Sequence, residues 1–522
     1  MAYSALLTPE LWLLVAPLIM VAIGLAPSTL ANRVPRHMAR AVQTGAGLGL
    51  GFWLVAMGAS FAGTAPEGLL RWAVRPDRVT FVILPLVAFL LTIVAGYSSR
   101  YLAGEAEQGR FFRWLALTAG GFMLAVVAGN LLLFVLAMLV TGSFLNKLLT
   151  YYRERIRAQM VAHKKLLFSR VADFCLVVAT VLIAFGLGTV TFEGIAAEAG
   201  SAAALPWQAK IAAWLIVAYT ILKSGQFPFH GWLLQVMEAP TPVSALLHAG
   251  IVYSGAIVVL RTHELLVAEG AALTLMVVVG LMTAAIASLA MLTQTAIKSS
   301  LAWSTTGQLG FMLMELGLGL FVLGLLHLIT HSLYKAHAFL SSGSIVDLLR
   351  GPAPPHKRHP GTVAWLVTVL VGAAITFGMA ALWGLTPANE PALVALGVIL
   401  AVAINQLLLA TRSSPTSPGF VGRLVGLSVA VSAAYFGLHK LFAAVFAADL
   451  RPIPETASTG QYLLLGLIAV VFLGLSFFQT VLIHTVDAPW MKRLYVHLYN
   501  GLYTDQPVER LVYRVWPAKF RR

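Results

Sequence analysis

Charge is scarce in this chain. Of its 522 residues only 11% are Asp, Glu, Lys or Arg, while 59% are hydrophobic. A soluble domain carries about 25% charged residues, so this composition excludes a soluble protein of the same size. Cysteine is nearly absent too. The single Cys175 excludes an internal disulfide and, set in an apolar run, reads as a small buried side chain. No nucleotide-binding glycine loop, CxxC pair or nucleophile elbow occurs. No covalent chemistry on a substrate, and no cofactor, is therefore expected of this chain. No basic residue precedes the first apolar run, Leu11 to Ala26, so it reads as a first span and not as a cleavable leader.

Long apolar runs are abundant, such as Thr362 to Leu382 and Tyr462 to Ile483. A membrane helix needs roughly 20 apolar residues, and a helix of a soluble core rarely stays apolar on every face for that long. Candidate spans lie near 9–26, 41–62, 79–96, 112–128, 130–150, 168–188, 209–238, 242–262, 272–293, 298–318, 320–346, 362–383, 391–411, 421–447 and 461–484. The pair within 112–150 is split only by Gly129-Asn130. The fold class is thus an all-α polytopic membrane protein with fourteen or fifteen transmembrane helices.

The 35 Lys and Arg against 20 Asp and Glu give +15. That excess falls in loops between apolar runs, which marks cytoplasmic loops and not a nucleic-acid site. Arg100, Arg110, Arg153, Arg155, Arg157, Lys164 and Lys165 fall on one side, whereas Glu193, Glu198, Glu269 and Glu390 fall on the other. The bias predicts an outside N-terminus and a cytoplasmic C-terminus. The Pro-rich basic stretch Leu349 to Gly361 reads as a hinge. From Asp487 onward an amphipathic pattern suits a surface helix or a docking segment.

A charge inside a span costs several kcal/mol, with estimates from about 2.5 upward, so the exceptions are candidates for function. Lys223 sits deep in its span, five residues before Pro228, which must break the helix. Broken backbone at membrane depth is tolerated where it lines a polar cavity, and a lysine there can load and release a proton. His248, in the next span, follows Pro240 and Pro242. Beside Lys223 and Glu238 it either relays a proton or serves as a core histidine. His327, His331 and Lys335 fall at i, i+4 and i+8, stacked on one face about 6 Å apart per step. No carboxylate or cysteine shares their span, so a proton wire is favoured over a metal site. Lys298 either snorkels to the inner surface or joins the central lysines. Asp173 follows Arg170 by three residues, a helical ion pair. Glu315 looks isolated on an apolar face, and His439 with Lys440 forms a second ionisable cluster.

The stretches around Arg170–Asp173, Lys223–Gln226, Ala239–Ala249, Gln294–Gly310 and His327–Ala336 closely resemble the antiporter-like subunits of respiratory complex I and the Mrp-type cation/proton antiporters. The resemblance covers roughly Asn130 to Asp347. It implies a bundle with two inverted five-helix repeats. It also implies Lys223 as central proton carrier, His248, Lys298, His327 and His331 as relays, and Lys335 on the same axis. The implied division is N-terminal helices 1–110, a first half 111–262 with the broken helix at 209–238, a second half 263–484, and a cytoplasmic tail 485–522.

Two departures stand out. Leu139 occupies the position of the glutamate that usually pairs with the central lysine, and no Lys or Arg occurs between Arg358 and Arg412, where a broken twelfth span usually carries an outlet lysine. His439 and Lys440 are candidate substitutes. The tail Leu494 to Tyr503 resembles that of the membrane subunit of DAB-type inorganic-carbon pumps. That resemblance implies a bacterial inner-membrane location and passage of H+ or Na+. It also implies a cytoplasmic zinc-containing partner similar to β-carbonic anhydrases, which would carry out the CO2 chemistry. A cation/proton antiporter subunit and a proton-pumping subunit of a quinone oxidoreductase are the alternatives.

Overall fold

The computed structural model describes residues 8–61, 69–343, 360–386, 390–409, 418–450, 458–484 and 487–517. Among them the chain is helical throughout, with only two isolated backbone bridges. The expected spans correspond to α1 Pro9–Gly24, α2 Pro35–Phe61, α3 Arg78–Tyr101, α4 Gln108–Val127, α5 Leu131–Leu149 and α6 Ile156–Leu187. Next come the broken pair α7 Trp207–Lys223 and α8 Gly231–Gln235, then the interrupted pair α9 Thr241–Ala249 and α10 Ser254–Arg261. The rest are α11 Gly270–Met291, α12 Ile297–Gly317, α13 Phe321–Leu340, α14 Thr362–Leu382, α15 Pro391–Leu409, α16 Pro418–Phe446 and α17 Thr459–Thr480. Eleven helices among the described residues are long and apolar enough to cross a membrane by themselves. The bundle is all-α and polytopic, and α4 and α5 are separate helices.

Local sequence explains the helix starts. Asp77 caps α3 by accepting from Thr80 N at 2.8 Å. Asn130 caps α5 through Leu133 N at 2.9 Å and donates to the Trp72 carbonyl at 2.9 Å, so the short turn after α4 is held from both sides. Ser458 and Gln461 form a capping box at the start of α17.

Packing without water between helices relies on small residues. A Cβ at Gly280 on α11 would fall 2.5 Å from the Gly310 carbonyl of α12, so these two helices cross at backbone contact. One large core joins α1 to α13, and a second forms around Val277, Met314, Leu323, Phe436 and Ile468. Large apolar side chains such as Phe174, Phe185, Val363, Leu382, Leu463 and Val470 lie exposed on the periphery. In water such a surface would aggregate, whereas acyl chains cover it at no cost.

One expectation changes, one is given detail and one lies outside the described residues. Lys164 and Lys165, read as loop charges, lie buried on α6, which begins a full three turns before the expected 168. The tail folds back onto its own bundle as α18 Pro489–Tyr499 and α19 Gln506–Val515. The stretch expected as a hinge lies, from 349 to 359, outside the described residues.

Candidate functional site: a buried ionisable axis

α7 ends at Lys223 because Gly225 turns left-handed (φ 56°) and Pro228 can donate no backbone hydrogen bond. The chain resumes as α8 only at Gly231. Lys223 Nζ, buried at this break, lies 2.7 Å from Asp173 Oδ1 and donates to Ser169 Oγ at 3.3 Å. The other oxygen of Asp173 accepts from Arg170 at 3.2 Å, as the i, i+3 spacing predicts. Asp173 thus serves two cations. The carboxylate facing Lys223 comes from α6, while Leu139 stands where the family glutamate was expected on α5.

Lys165 belongs to the same group. Its Nζ donates to the Gly142 carbonyl at 3.2 Å, and its charge interacts with both Lys223 and Asp173. The sequence held a signal that was overlooked: Lys165, Ser169 and Asp173 stand at i, i+4 and i+8, one face of a helix. Buried Gln226 beside the break has no protein partner for its amide atoms, which marks a polar interior.

The second group runs along α12 and α13. Lys298, half-buried near the start of α12, donates to Thr241 Oγ1 at 2.7 Å. Lys335 is fully buried and donates to Ser304 Oγ at 2.8 Å and to the Leu301 carbonyl at 3.3 Å. His331 Nδ1 shares a 2.5 Å hydrogen bond with the Tyr253 hydroxyl. His327 Nδ1 lies 2.7 Å from Glu315 Oε2, which corrects the reading of Glu315 as isolated. The rings of His327 and His331 stand 5.8 Å apart, so the expected stack on α13 forms.

His248 is fully buried between these groups. It stacks on Phe339 of α13 at 4.5 Å. Neither ring nitrogen has a protein partner. Glu238 sits half-buried in the short turn after α8, apart from the Lys223 pair. His439 and Lys440 on α16 both meet Glu390, at 3.2 and 3.9 Å. The hydrogen bond from His439 holds the Glu390 carboxyl below its usual value. No group of three His, Cys, Asp or Glu side chains gathers as a metal site among the described residues. α14, the twelfth span, is one continuous helix without a lysine.

The arrangement is a set of buried ammonium, imidazole and carboxylate groups held by hydroxyls and broken helices, suited to passing charge through an apolar bundle. The profile described as "NADH:quinone oxidoreductase/Mrp antiporter, TM" matches residues 128–387. The "Probable inorganic carbon transporter subunit DabB2" of Halothiobacillus neapolitanus is 50% identical over 463 residues, 88% of this chain and 84% of that protein. The chain belongs to the DabB family. A second DabB, from Hydrogenovibrio crunogenus, is 34% identical over 86% of this chain and 84% of its own length. NADH-quinone oxidoreductase subunit L of Escherichia coli is 33% identical over 52% of this chain and 44% of its own length. Among solved structures, the Mrp complex from Dietzia sp. matches with a TM-score of 0.56 and 24% identity, over 98% of this chain and 57% of the solved chain, a likeness of fold. This DabB-family chain is accordingly an ion-translocating membrane subunit. The ion-pair partner of Lys223 is Asp173.

Proposed function

We propose that this chain is the proton-conducting membrane subunit of an energy-coupled inorganic carbon uptake complex of a bacterial inner membrane. The observation that carries this reading is the Lys223–Asp173 pair, buried at a helix break in a chain half identical to a DabB subunit over most of its length. Lys223 and the Lys298, Lys335, His331 and His327 series form the proton path, with His248 as a further relay. One charge crossing 100 mV releases about 2.3 kcal/mol, enough to drive a conformational step in a bound protein. The partner is a cytoplasmic zinc-containing subunit similar to β-carbonic anhydrases, on which CO2 and H2O become HCO3− and H+. The N-terminus is outside and the tail cytoplasmic, where that partner docks. Leu139 and the lysine-free α14 weigh against an antiporter or quinone-linked pump.

The test is Lys223→Ala in a host lacking carbonic anhydrase, grown in air with the partner co-expressed. Bicarbonate accumulation should vanish while the chain still reaches the membrane. Growth in air at the unmodified rate would refute the reading.

A further inference from the structure

A cavity of about 590 Å³ opens at one end of the bundle, among the start of α11 at Gly270, the turn from α12 to α13 at Gly317 to Leu320, Glu390 before α15, and the last turns of α16. The tail sits at the opposite end, where Tyr495 donates to the Thr293 carbonyl after α11 and Asp505 meets Lys164 near the start of α6. The two ends are thus distinct faces of the bundle.

The α12–α13 series leads from the tail face to this cavity. α12 starts at the tail face with Lys298 and ends at the cavity with Gly317. α13 runs back from Phe321 to Leu340. Along that path stand Lys298, then Lys335 with Ser304, then His331 with Tyr253, then His327 with Glu315. His327 and Lys335 are separated by eight residues, about 12 Å of rise. Glu315 lies two residues before Gly317, and His327 one helical turn after Leu323, both of which line the cavity. The last ionisable pair of the series therefore stands about 6 Å or less along the helix axes from the cavity lining. The cavity lining itself carries Glu390 and His439, in contact at 3.2 Å.

We propose that this cavity is the outer mouth of the ion path, with Glu315–His327 as its terminal relay pair and Glu390–His439 as the groups that receive the cation from water. The proposal rests on the proton-conducting reading above. A proton taken up on the Glu390–His439 pair passes to His327 as Glu315 balances its charge, then along α13 toward the tail face. No bond other than N–H and O–H is made or broken.

The test uses the full chain with its partner in cells, carrying Cys175→Ser so that no native thiol remains, and Ala443→Cys on the cavity wall one turn beyond His439. Cells are treated with a membrane-impermeant, cationic methanethiosulfonate, and bicarbonate accumulation is compared before and after. Modification from outside should cut accumulation at least tenfold, with recovery on reduction by dithiothreitol. Modification without loss of accumulation overturns the proposal, because the path then lies elsewhere. Failure of the thiol to react from outside overturns it as well, because the cavity is then not an aqueous mouth. Lys223→Ala separates the two claims. If that variant still accumulates bicarbonate the functional reading falls, whereas if it is dead and the modified cysteine is harmless only the cavity proposal falls.

Discussion

At the scale of single residues, the pairing of Asp173 with Lys223 has an asymmetric energetic signature. Removing one member of a buried ion pair leaves an uncompensated charge and costs about 3–5 kcal/mol, whereas replacing both with apolar groups is often neutral. Asp173→Asn should therefore lower thermal stability in detergent strongly, and Asp173→Leu combined with Lys223→Met should restore most of it. Ion conduction should stay lost in both. A melt showing the double variant no better than the single would mean that the pair is not the interaction at stake. Glu390 gives a pH test of opposite character. Its folded carboxyl is held below the ordinary value by His439, so the contact stabilises above the unfolded pKa and is lost as pH falls through the folded one. The stability advantage of the unmodified chain over Glu390→Gln should be present at pH 7 and be lost on acidification, as pH falls through the lowered folded pKa; a pH-independent difference would contradict the contact.

At the scale of elements, the break between α7 and α8 decides where Lys223 sits. Gly225 holds φ 56°, and a Cβ there would lie 3.2 Å from Leu233 Cβ. An L-residue in that region costs about 1–2 kcal/mol. Gly225→Ala should destabilise by about that much and slow conduction, whereas Ala at the unstrained and open Gly47 should do neither; equal melts for the two would remove the role assigned to the break. Elements of this kind were legible in advance. Pro228 announced the break, and the i, i+4, i+8 spacing of His327, His331 and Lys335 announced their common face. Hidden were the contacts made across space. The Glu315–His327 pair joins adjacent helices across a tight turn that helix periodicity does not reach. Arg261 is bound to Asp77 and donates to Thr80 Oγ1 at 2.6 Å, some 180 residues away in sequence. The Lys165–Ser169–Asp173 face was missed for a different reason: apolarity marks only the lipid-crossing part of α6, so the amphipathic first three turns looked like loop.

At the scale of the whole molecule, the tail closes the face opposite the cavity. Lys164 is almost fully buried on α6, and its ammonium lies 2.5 Å from Asp505, 341 residues later. Gln235 of α8 donates to the same carboxylate at 3.0 Å, and Trp516 stacks on His163 at 4.2 Å. The tail thus supplies the counter-charge for a lysine one residue from Lys165, and through Gln235 it touches the segment that follows the helix break. A hydrogen bond to a charged group contributes about 1.5–3 kcal/mol, so Asp505→Asn should lower the stability of the full chain by about that amount. Lys164→Met in the same chain should recover most of the loss, because the buried charge that needed Asp505 is gone. The docked tail also makes a prediction about sidedness. If the basic loops and tail are cytoplasmic, a green fluorescent protein fused after Arg522 will fluoresce, and an alkaline phosphatase fused there will be inactive. The reverse pattern would invert the bundle and place the cavity, not the tail, on the cytoplasmic face. Stability and sidedness are thus linked by one contact: whichever compartment holds the fusion is the compartment in which Asp505 meets Lys164.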